Sequence, residues 1–197
     1  MSAAAPVPST RSGPRGRLVV VSGPSGVGKT AVVDRLLVDP RFARAVTATT
    51  RAPRRGERDG VDYVFLARDE FERRIAAGWF LEHADVYGRL YGTPRSHAEA
   101  ILASGRHCLL NIDVQGAATL RAAGVAALFV FLVPPSLAEL ERRLRERGLD
   151  ATDVVAGRLA AVDREMAQAE RFDVRLVNRD LDVTARKLAL SVGVALP

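Results

Sequence analysis

The most informative segment of this 197-residue chain is Gly23-Pro24-Ser25-Gly26-Val27-Gly28-Lys29-Thr30. It fits the pattern G-x-x-x-x-G-K-[ST] in full. The residues before it, 18–22 (LVVVS), are apolar and β-branched, which is typical of a strand buried on both faces. The residues after it, 30–38, carry apolar side chains at helical spacing. This context of strand, loop and helix favours a phosphate-binding loop over a glycine-rich turn that matches the pattern by chance.

The chemistry of this loop predicts which part of a ligand it holds. Glycines let successive backbone N–H groups turn toward one phosphate, and the N-terminus of the following helix adds partial positive charge. Lys29 would reach the β- and γ-phosphates, and Thr30 would ligate Mg²⁺. We therefore expect ATP, with Mg²⁺ as its metal, to bind along the whole loop: Gly23, Pro24, Ser25, Gly26, Val27, Gly28, Lys29 and Thr30.

Such a loop also needs an acidic residue at the end of a neighbouring apolar strand, to hold the metal or its water. Asp113, which closes the run CLLNID, fits that role. It equally fits the N-cap of the helix that follows, and the two roles are compatible. The sequence therefore predicts Asp113 at the metal, directly or through water, and leaves the capping role open beside it.

Strand and helix patterns alternate along most of the chain. Further strands are predicted at 108–113, 128–133 and 174–178, and helical patterns at about 153–171 and 181–194. Alternation of this kind indicates an α/β fold with a parallel sheet flanked by helices. Three helix starts carry a capping-box pattern: Asp69 with Glu72, Ser96 with Glu99, and Ser136 with Glu139.

One segment interrupts the alternation, which predicts how the chain is divided. Residues 47–93 are rich in Gly, Pro and Arg, with short strands near 63–66 and 80–86 and one short helix between them. We interpret them as a small mixed lobe inserted into a core of residues 17–46 and 94–197. Residues 147–158 form a predicted lid between two helices, and residues 1–16 form a predicted flexible tail.

Composition sets the broad class. Hydrophobic residues make up 48% of the chain and charged residues 26%, as expected for an ordinary globular domain. No apolar run approaches the length needed to span a bilayer, and the N-terminus lacks the apolar core of a signal peptide. We therefore expect a soluble, cytoplasmic protein with no membrane partner. The single cysteine, Cys108, sits in an apolar run and is predicted to be an inert buried thiol.

The net charge of +6 raises the question of nucleic-acid binding. Only two of the 29 basic residues are lysines, and the arginines are spread along the chain among acidic residues. No basic stripe rich in aromatic residues is present in the sequence. Since arginine suits small phosphorylated substrates equally well, we expect no nucleic-acid partner. The sequence predicts no oligomeric state.

The inserted segment carries the most specific signal. ATTRAPRRGE at 48–57 and GVDY at 60–63 closely resemble the guanylate kinase family. The resemblance continues through FLE at 80–82, YGTP at 91–94, DVQG at 113–116, PPS at 134–136 and RG at 147–148. It covers roughly residues 16–194 in unbroken order. It implies an ATP-dependent P-loop kinase that phosphorylates GMP and dGMP, with Mg²⁺ as cofactor and the two nucleotides as its partners.

The resemblance also implies which residues bind the acceptor. Arg51 and Arg54, on a segment stiffened by Pro53, form a fork suited to a dianionic phosphate, with Tyr63 and Tyr91 as hydroxyl donors. Glu82 would accept hydrogen bonds from the guanine N1–H and amine. The remaining implied members of the GMP site are Thr47, Thr93 and Asp113.

Catalysis in this family needs positive charge around the transferred phosphoryl group. The resemblance implies that Arg147 and Arg158 supply it from the lid, with Arg143 as a weaker match, and that Asn178 lies at the ATP site. The catalytic set is then Lys29, Arg51, Asp113, Arg147 and Arg158.

The sequence departs from the family pattern at three positions. Asn111 stands where an acidic residue is usual, and an amide offers less to a hydrated Mg²⁺. Arg179 replaces a usual acidic residue after Asn178, and Ala31 replaces a common hydroxyl. Two other functions stay open at this point: a related P-loop kinase for a sugar phosphate such as a ribose bisphosphate, and a non-catalytic interaction module that binds protein ligands in the same cleft.

Overall fold

The computed structural model describes residues 16–86, 88–146 and 162–197. These residues form nine β-strands and six α-helices of eight to ten residues each. The strands are β1 Leu18–Ser22, β2 Phe42–Arg44, β3 Ala48–Thr49, β4 Val64–Phe65, β5 Phe80–Val86, β6 Arg89–Pro94, β7 His107–Asn111, β8 Leu128–Val133 and β9 Val174–Val177. The helices are α1 Lys29–Leu36, α2 Arg68–Ala76, α3 Arg95–Ala103, α4 Val114–Ala122, α5 Leu137–Glu146 and α6 Leu181–Leu190. Residues 162–166 are also helical, and a 3₁₀ turn covers Ala169–Arg171.

A five-stranded sheet in the order β2-β7-β1-β8-β9 forms the larger part, and every pairing in it is parallel. Strand β1 lies at the centre and is buried along its whole length. Val19 and Val21 face a cluster that includes Leu36 of α1 and Leu188 of α6. Val20 faces the opposite cluster, where α3 and α4 pack. Burial on both faces explains the continuous apolar run, and the predicted fold, a parallel sheet flanked by helices, is confirmed.

A second, four-stranded sheet in the order β4-β3-β6-β5 is built from the segment between β2 and α3. Its pairings are mixed, with β3 parallel to β4 and antiparallel to β6. Helix α2 covers it through Phe71, whose ring stacks on Phe80 with centroids 4.3 Å apart. Strands β3 and β6 are not among the predicted strands: β3 is only two residues long, and Gly92 and Pro94 in β6 break the strand pattern. Gly92 is required there, since a Cβ would lie 2.7 Å from the Phe80 ring.

The predicted helix starts are confirmed at one position and wrong at two. Ser136 caps α5, because its Oγ accepts the Glu139 N–H at 3.1 Å. Asp69 does not cap α2, which begins at Arg68 after Ala67, and its carboxylate instead accepts from Arg73 at 3.0 Å. Ser96 does not cap α3, because β6 runs through Pro94 directly into the helix at Arg95.

Helix α6 ends at Leu190, earlier than the predicted 194, and Gly193 follows it with φ of +79°. Cys108 is buried, and burial raises the pKa of its thiol to about 12, as expected for an inert side chain. Residues 1–15 of the predicted tail, the predicted lid at 147–158 and residues 153–161 of the predicted long helix lie outside the described residues. Within the described part of the chain, no helix is both long and apolar enough to cross a membrane.

Candidate nucleotide and phosphate site

The phosphate-binding loop joins the carboxyl end of β1 to α1, and its shape depends on glycine. Gly23, Gly26 and Gly28 have φ of +139°, +83° and +99°. A Cβ on Gly23 would lie 2.4 Å from the Leu132 carbonyl oxygen, and one on Gly28 would lie 2.5 Å from Nδ2 of Asn178. Both the backbone conformation and the close neighbours therefore exclude larger residues at these two positions.

The loop is braced by its own lysine and by two side chains from distant parts of the chain. Lys29 Nζ donates to the carbonyl oxygens of Gly23 at 2.6 Å and Pro24 at 3.1 Å. Asn178, buried at the end of β9, donates its amide to the Val27 carbonyl at 2.8 Å. Arg143 of α5 pairs with Glu139 and also reaches the same Val27 oxygen, at 3.4 Å.

A group of small polar side chains lies beside the start of α1. Asn111, the last residue of β7, donates its amide to Thr30 Oγ1 at 3.1 Å. Asp113 caps α4, since its Oδ1 accepts the Gly116 N–H at 2.9 Å. Burial raises the pKa of Asp113, against the lowering effects of the Gly116 hydrogen bond and of nearby Lys29. The capping role left open by the sequence is therefore present.

Arg51 lies in the loop after β3 and is held on several sides. Its Nη1 and Nη2 donate to the two oxygens of Glu57, each at 2.9 Å, and Nη1 also donates to the Ala52 carbonyl at 2.7 Å. Its guanidinium carbon lies 5.1 Å from the centroid of the Tyr63 ring, a cation–π distance. The bonds to Glu57 and an interaction with Tyr91 raise the pKa of Arg51.

Glu82 is a buried carboxylate at the boundary between the two sheets. It is 4% exposed and accepts the Thr93 hydroxyl at 2.7 Å across the β5–β6 pairing. Burial raises the pKa of Glu82 to about 7, with Thr93 opposing the rise and Asp113 adding to it. The other oxygen packs over Gly116 of α4, where a Cβ would lie only 2.6 Å from Oε2. Glycine at 116 is therefore what allows the carboxylate to lie against the helix.

One cavity of about 280 Å³ brings the two parts of the predicted site together. Gly23, Ser25 and Lys29 line it from the phosphate loop, and Asp113 from the start of α4. The segment that carries the second sheet contributes Arg51, Arg54 and Tyr91 to the same cavity. An enclosure with basic groups on two opposed elements suits two anionic groups held close to each other.

Two residues that sequence reasoning missed also line this cavity. Arg89 lies two residues before Tyr91 on β6, and this strand periodicity was a signal that could have found it. Glu165 follows the undescribed segment 147–161, and its Oε2 accepts the Ser25 N–H of the phosphate loop at 3.3 Å. No sequence signal connects Glu165 with Ser25, because 140 residues separate them.

The remaining predicted site residues fall in different places. Thr47 and Tyr63 do not line the shared cavity, although the Tyr63 ring lies 6.3 Å from that of Tyr91. Glu82 and Thr93 do not line it either: both are buried and hydrogen-bonded to each other. Arg147 and Arg158 lie outside the described residues.

The phosphate loop at the carboxyl edge of a parallel sheet defines the class of P-loop nucleotide-binding proteins. A family model described as guanylate kinase matches residues 15–192, nearly the whole domain. The chain therefore belongs to the guanylate kinase family.

Individual relatives agree with this assignment. A guanylate kinase of Synechococcus sp. (strain CC9902) is 46% identical over 92% of this chain and 98% of its own length. One from Rubrobacter xylanophilus is 48% identical over 85% of this chain and 88% of its own. The crystal structure of guanylate kinase from Anaplasma phagocytophilum superposes with a TM-score of 0.74, at 32% identity, over 91% of this chain and 86% of that one.

Proposed function

We propose that this protein transfers the γ-phosphoryl group of ATP to GMP and dGMP, giving ADP and the corresponding diphosphate. The single observation that carries the proposal is the shared cavity, in which Lys29 of the phosphate loop and Arg51 of the lobe line the same space. Phosphoryl transfer needs donor and acceptor phosphates close together and surrounded by positive charge, with little covalent chemistry from the protein.

We assign the donor nucleotide to the phosphate loop, 23–30. Its backbone N–H groups and the N-terminus of α1 favour an anion, and Lys29 lies where its ammonium can move from loop carbonyls to a phosphate. Asn178 contributes to the ATP site indirectly, because its hydrogen bond to the Val27 carbonyl fixes the conformation of the loop. The lid arginines Arg147 and Arg158 stay part of the proposed catalytic set by family resemblance.

We assign the acceptor to the lobe of residues 47–93, inserted into a core of residues 17–46 and 94–197. The cavity is lined by Arg51, Arg54 and Tyr91, which suit the GMP phosphate. Tyr63 contributes through the cation–π contact of its ring with the Arg51 guanidinium. The guanine ring is assigned to Glu82, with Thr47, Thr93 and Asp113 around it. A buried carboxylate can accept hydrogen bonds from the two adjacent donors of guanine. Adenine does not present both donors, so it would leave the carboxylate incompletely paired, which gives strong discrimination between the bases.

The residues present fit Mg²⁺. The Thr30 hydroxyl, in the first turn of α1, and the Asp113 carboxylate, at the N-cap of α4, are hard oxygen donors of the kind that Mg²⁺ prefers. Among the described residues, no cluster of three or more His, Cys, Asp or Glu is placed to hold a metal by itself. This fits an ion held mainly by nucleotide phosphates, with Thr30 as ligand and Asp113 directly or through water. When bound, Mg²⁺ would neutralise charge on the transferred phosphoryl group.

The experiment that tests the proposal compares acceptors. Purified protein is supplied with MgATP and one acceptor at a time: GMP, dGMP, AMP or ribose 1,5-bisphosphate. The release of ADP is measured, and the Lys29→Ala variant is assayed in the same way as a control. We expect GMP and dGMP to be phosphorylated, AMP to be at least about a hundredfold poorer in kcat/KM, and Lys29→Ala to lose most turnover. A preference for the sugar phosphate would contradict the proposal and show that the protein is the related P-loop kinase instead. Binding of neither nucleotide by calorimetry would favour the interaction module. We also propose a cytoplasmic location, with no nucleic acid among its partners.

A further inference from the structure

Glu57 makes three hydrogen bonds in the loop that carries the basic fork. Oε1 accepts from Nη2 of Arg51 at 2.9 Å, and Oε2 accepts from Nη1 of the same side chain at 2.9 Å. Oε2 also accepts the backbone N–H of Arg54 at 2.7 Å. One carboxylate therefore joins the side chain of the first fork arginine to the backbone of the second.

This pairing is not a loose surface contact. The side chains of Arg51 and Glu57 are only 15% and 19% exposed, and the geometry is bidentate. By contrast, Arg68 and Glu72 of α2 in the same lobe are 52% and 55% exposed, with a single contact of 3.3 Å. The Arg51 and Arg54 bonds lower the pKa of Glu57, so that it is ionised at neutral pH.

The edge of the guanidinium that Glu57 uses matters for a phosphate. A guanidinium has two bidentate edges, one formed by Nη1 and Nη2 and one formed by Nε and Nη2. Glu57 takes the first edge, and the Ala52 carbonyl takes a further Nη1 hydrogen. The Nε edge is then the one that suits a phosphate. Tyr63 and Phe65 lie 5.1 and 5.9 Å from the guanidinium carbon and limit its tilt.

We propose that Glu57 is a positioning residue for the acceptor phosphate: it fixes the plane of the Arg51 guanidinium and the backbone at Arg54, so that the Nε edge of Arg51 is presented to the dianion. This inference rests on the proposed function. Glu57 itself does not touch the phosphate, because its negative charge would repel it. Its effect passes through Arg51, and that route gives the inference its test.

The test is a double-mutant cycle with GMP. Glu57→Gln keeps the shape of the side chain but removes its negative charge. It also places an amide N–H donor against a guanidinium N–H donor, so that one of the two hydrogen bonds to Arg51 is lost. We expect the Kd of GMP by calorimetry, and the KM of GMP, to rise about tenfold. The KM of ATP should change less than about twofold. In an Arg51→Lys background, the same substitution should have little further effect, because lysine cannot make the bidentate pair.

Two comparisons make the result specific. Glu72→Gln removes an exposed carboxylate of the same lobe and should leave both KM values unchanged. Guanosine, which lacks the phosphate, should bind wild type and Glu57→Gln equally. Circular dichroism and the thermal midpoint establish that each variant is folded.

Other outcomes overturn the inference in distinguishable ways. Tighter GMP binding by Glu57→Gln would show that the carboxylate competes with the phosphate for Arg51. An equal loss in the wild-type and Arg51→Lys backgrounds would show that Glu57 does not act through Arg51. A wild-type protein that neither binds nor phosphorylates GMP would instead overturn the proposed function.

Discussion

Thr93 donates its hydroxyl hydrogen to Oε1 of Glu82 across 2.7 Å, from one strand of the lobe to the next. Both side chains are buried, so the bond satisfies one oxygen of a carboxylate that is otherwise poorly solvated. The other oxygen lies against Gly116 of α4, a helix of the core. Glu82 thus lies between the second sheet and α4, and its protonation should report on acceptor binding.

The first prediction concerns the pH dependence of acceptor affinity. Because the pKa of Glu82 is raised to about 7, part of the empty protein carries a neutral Glu82 near neutral pH. Guanine presents two donors and needs the ionised form. The KM of GMP should therefore rise as pH falls below 7, by up to about tenfold per pH unit. Steady-state kinetics between pH 5.5 and 8.5 measure this.

The phosphate of GMP also titrates near pH 6, so a control is needed. Glu82→Gln should bind GMP more weakly and retain only the dependence due to the phosphate. If wild type and Glu82→Gln show the same pH profile, Glu82 does not titrate in the binding range.

The second prediction concerns stability. The folded pKa of Glu82 lies above the ordinary value of 4.5, so the folded state binds this proton more tightly than the unfolded state. Its contribution to the free energy of unfolding must therefore decrease as pH rises from about 4.5 to 7, and level off above that. Glu82→Gln should be more stable than wild type at pH 8, by on the order of 1–3 kcal/mol, and the difference should shrink at pH 5. Urea unfolding at both pH values measures it, and a difference that grows toward pH 5 would contradict it.

The third prediction concerns Gly116. A methyl group there would lie 2.6 Å from Oε2 of Glu82 and 3.3 Å from Oδ1 of Asp113, so Glu82 must move. Gly116→Ala should raise the KM of GMP at least about threefold and leave the KM of ATP nearly unchanged. Thr119→Ala, on an exposed position of the same helix, is the matched control. An unchanged KM of GMP in Gly116→Ala would separate Glu82 from acceptor binding.

The fourth prediction concerns Asn111. Its amide donates to Thr30 Oγ1, whereas a carboxylate would accept the Thr30 proton and direct the hydroxyl lone pairs toward a metal. Asn111→Asp should preserve or raise GMP phosphorylation and lower the Mg²⁺ concentration needed for half-maximal binding of ADP, measured by calorimetry. A large loss of turnover in Asn111→Asp would show that the amide has a role of its own.

The fifth prediction concerns Glu165. Its carboxylate accepts a phosphate-loop N–H, that of Ser25, and burial raises its pKa while nearby Lys29 lowers it. A bound nucleotide phosphate brings negative charge to the same loop and is repelled by the Glu165 carboxylate. Removing the charge of Glu165 should therefore strengthen nucleotide binding. Glu165→Gln should bind ADP without Mg²⁺ about three- to tenfold more tightly by calorimetry. Glu170→Gln, whose side chain is 87% exposed, is the control. Weaker ADP binding by Glu165→Gln would show that the carboxylate supports the loop.

The parallel sheet and the phosphate loop can be predicted from the amino-acid sequence alone. Both are local: strand β1 is a continuous apolar run, and the loop conformation follows from glycines at fixed spacing. The cap at Ser136 is local too, whereas Asp69 and Ser96 matched the same pattern without capping. The N-caps of these two helices are Ala67 and Pro94, two residues before the predicted ones, at points fixed by the preceding strands β4 and β6. A short pattern cannot contain that information.

Contacts between charged side chains on different elements follow from how those elements pack in the fold. Ser25 and Glu165 contact each other across 140 residues, and Glu82 reaches Gly116 only because the lobe lies against α4. Glu57 is close to Arg51 in sequence, yet in a Gly- and Pro-rich loop no periodicity predicts their pairing. Hydrogen bonds within strands and helices repeat at fixed spacings along the chain. Side-chain contacts between elements depend on how those elements pack, and packing is a property of the whole fold.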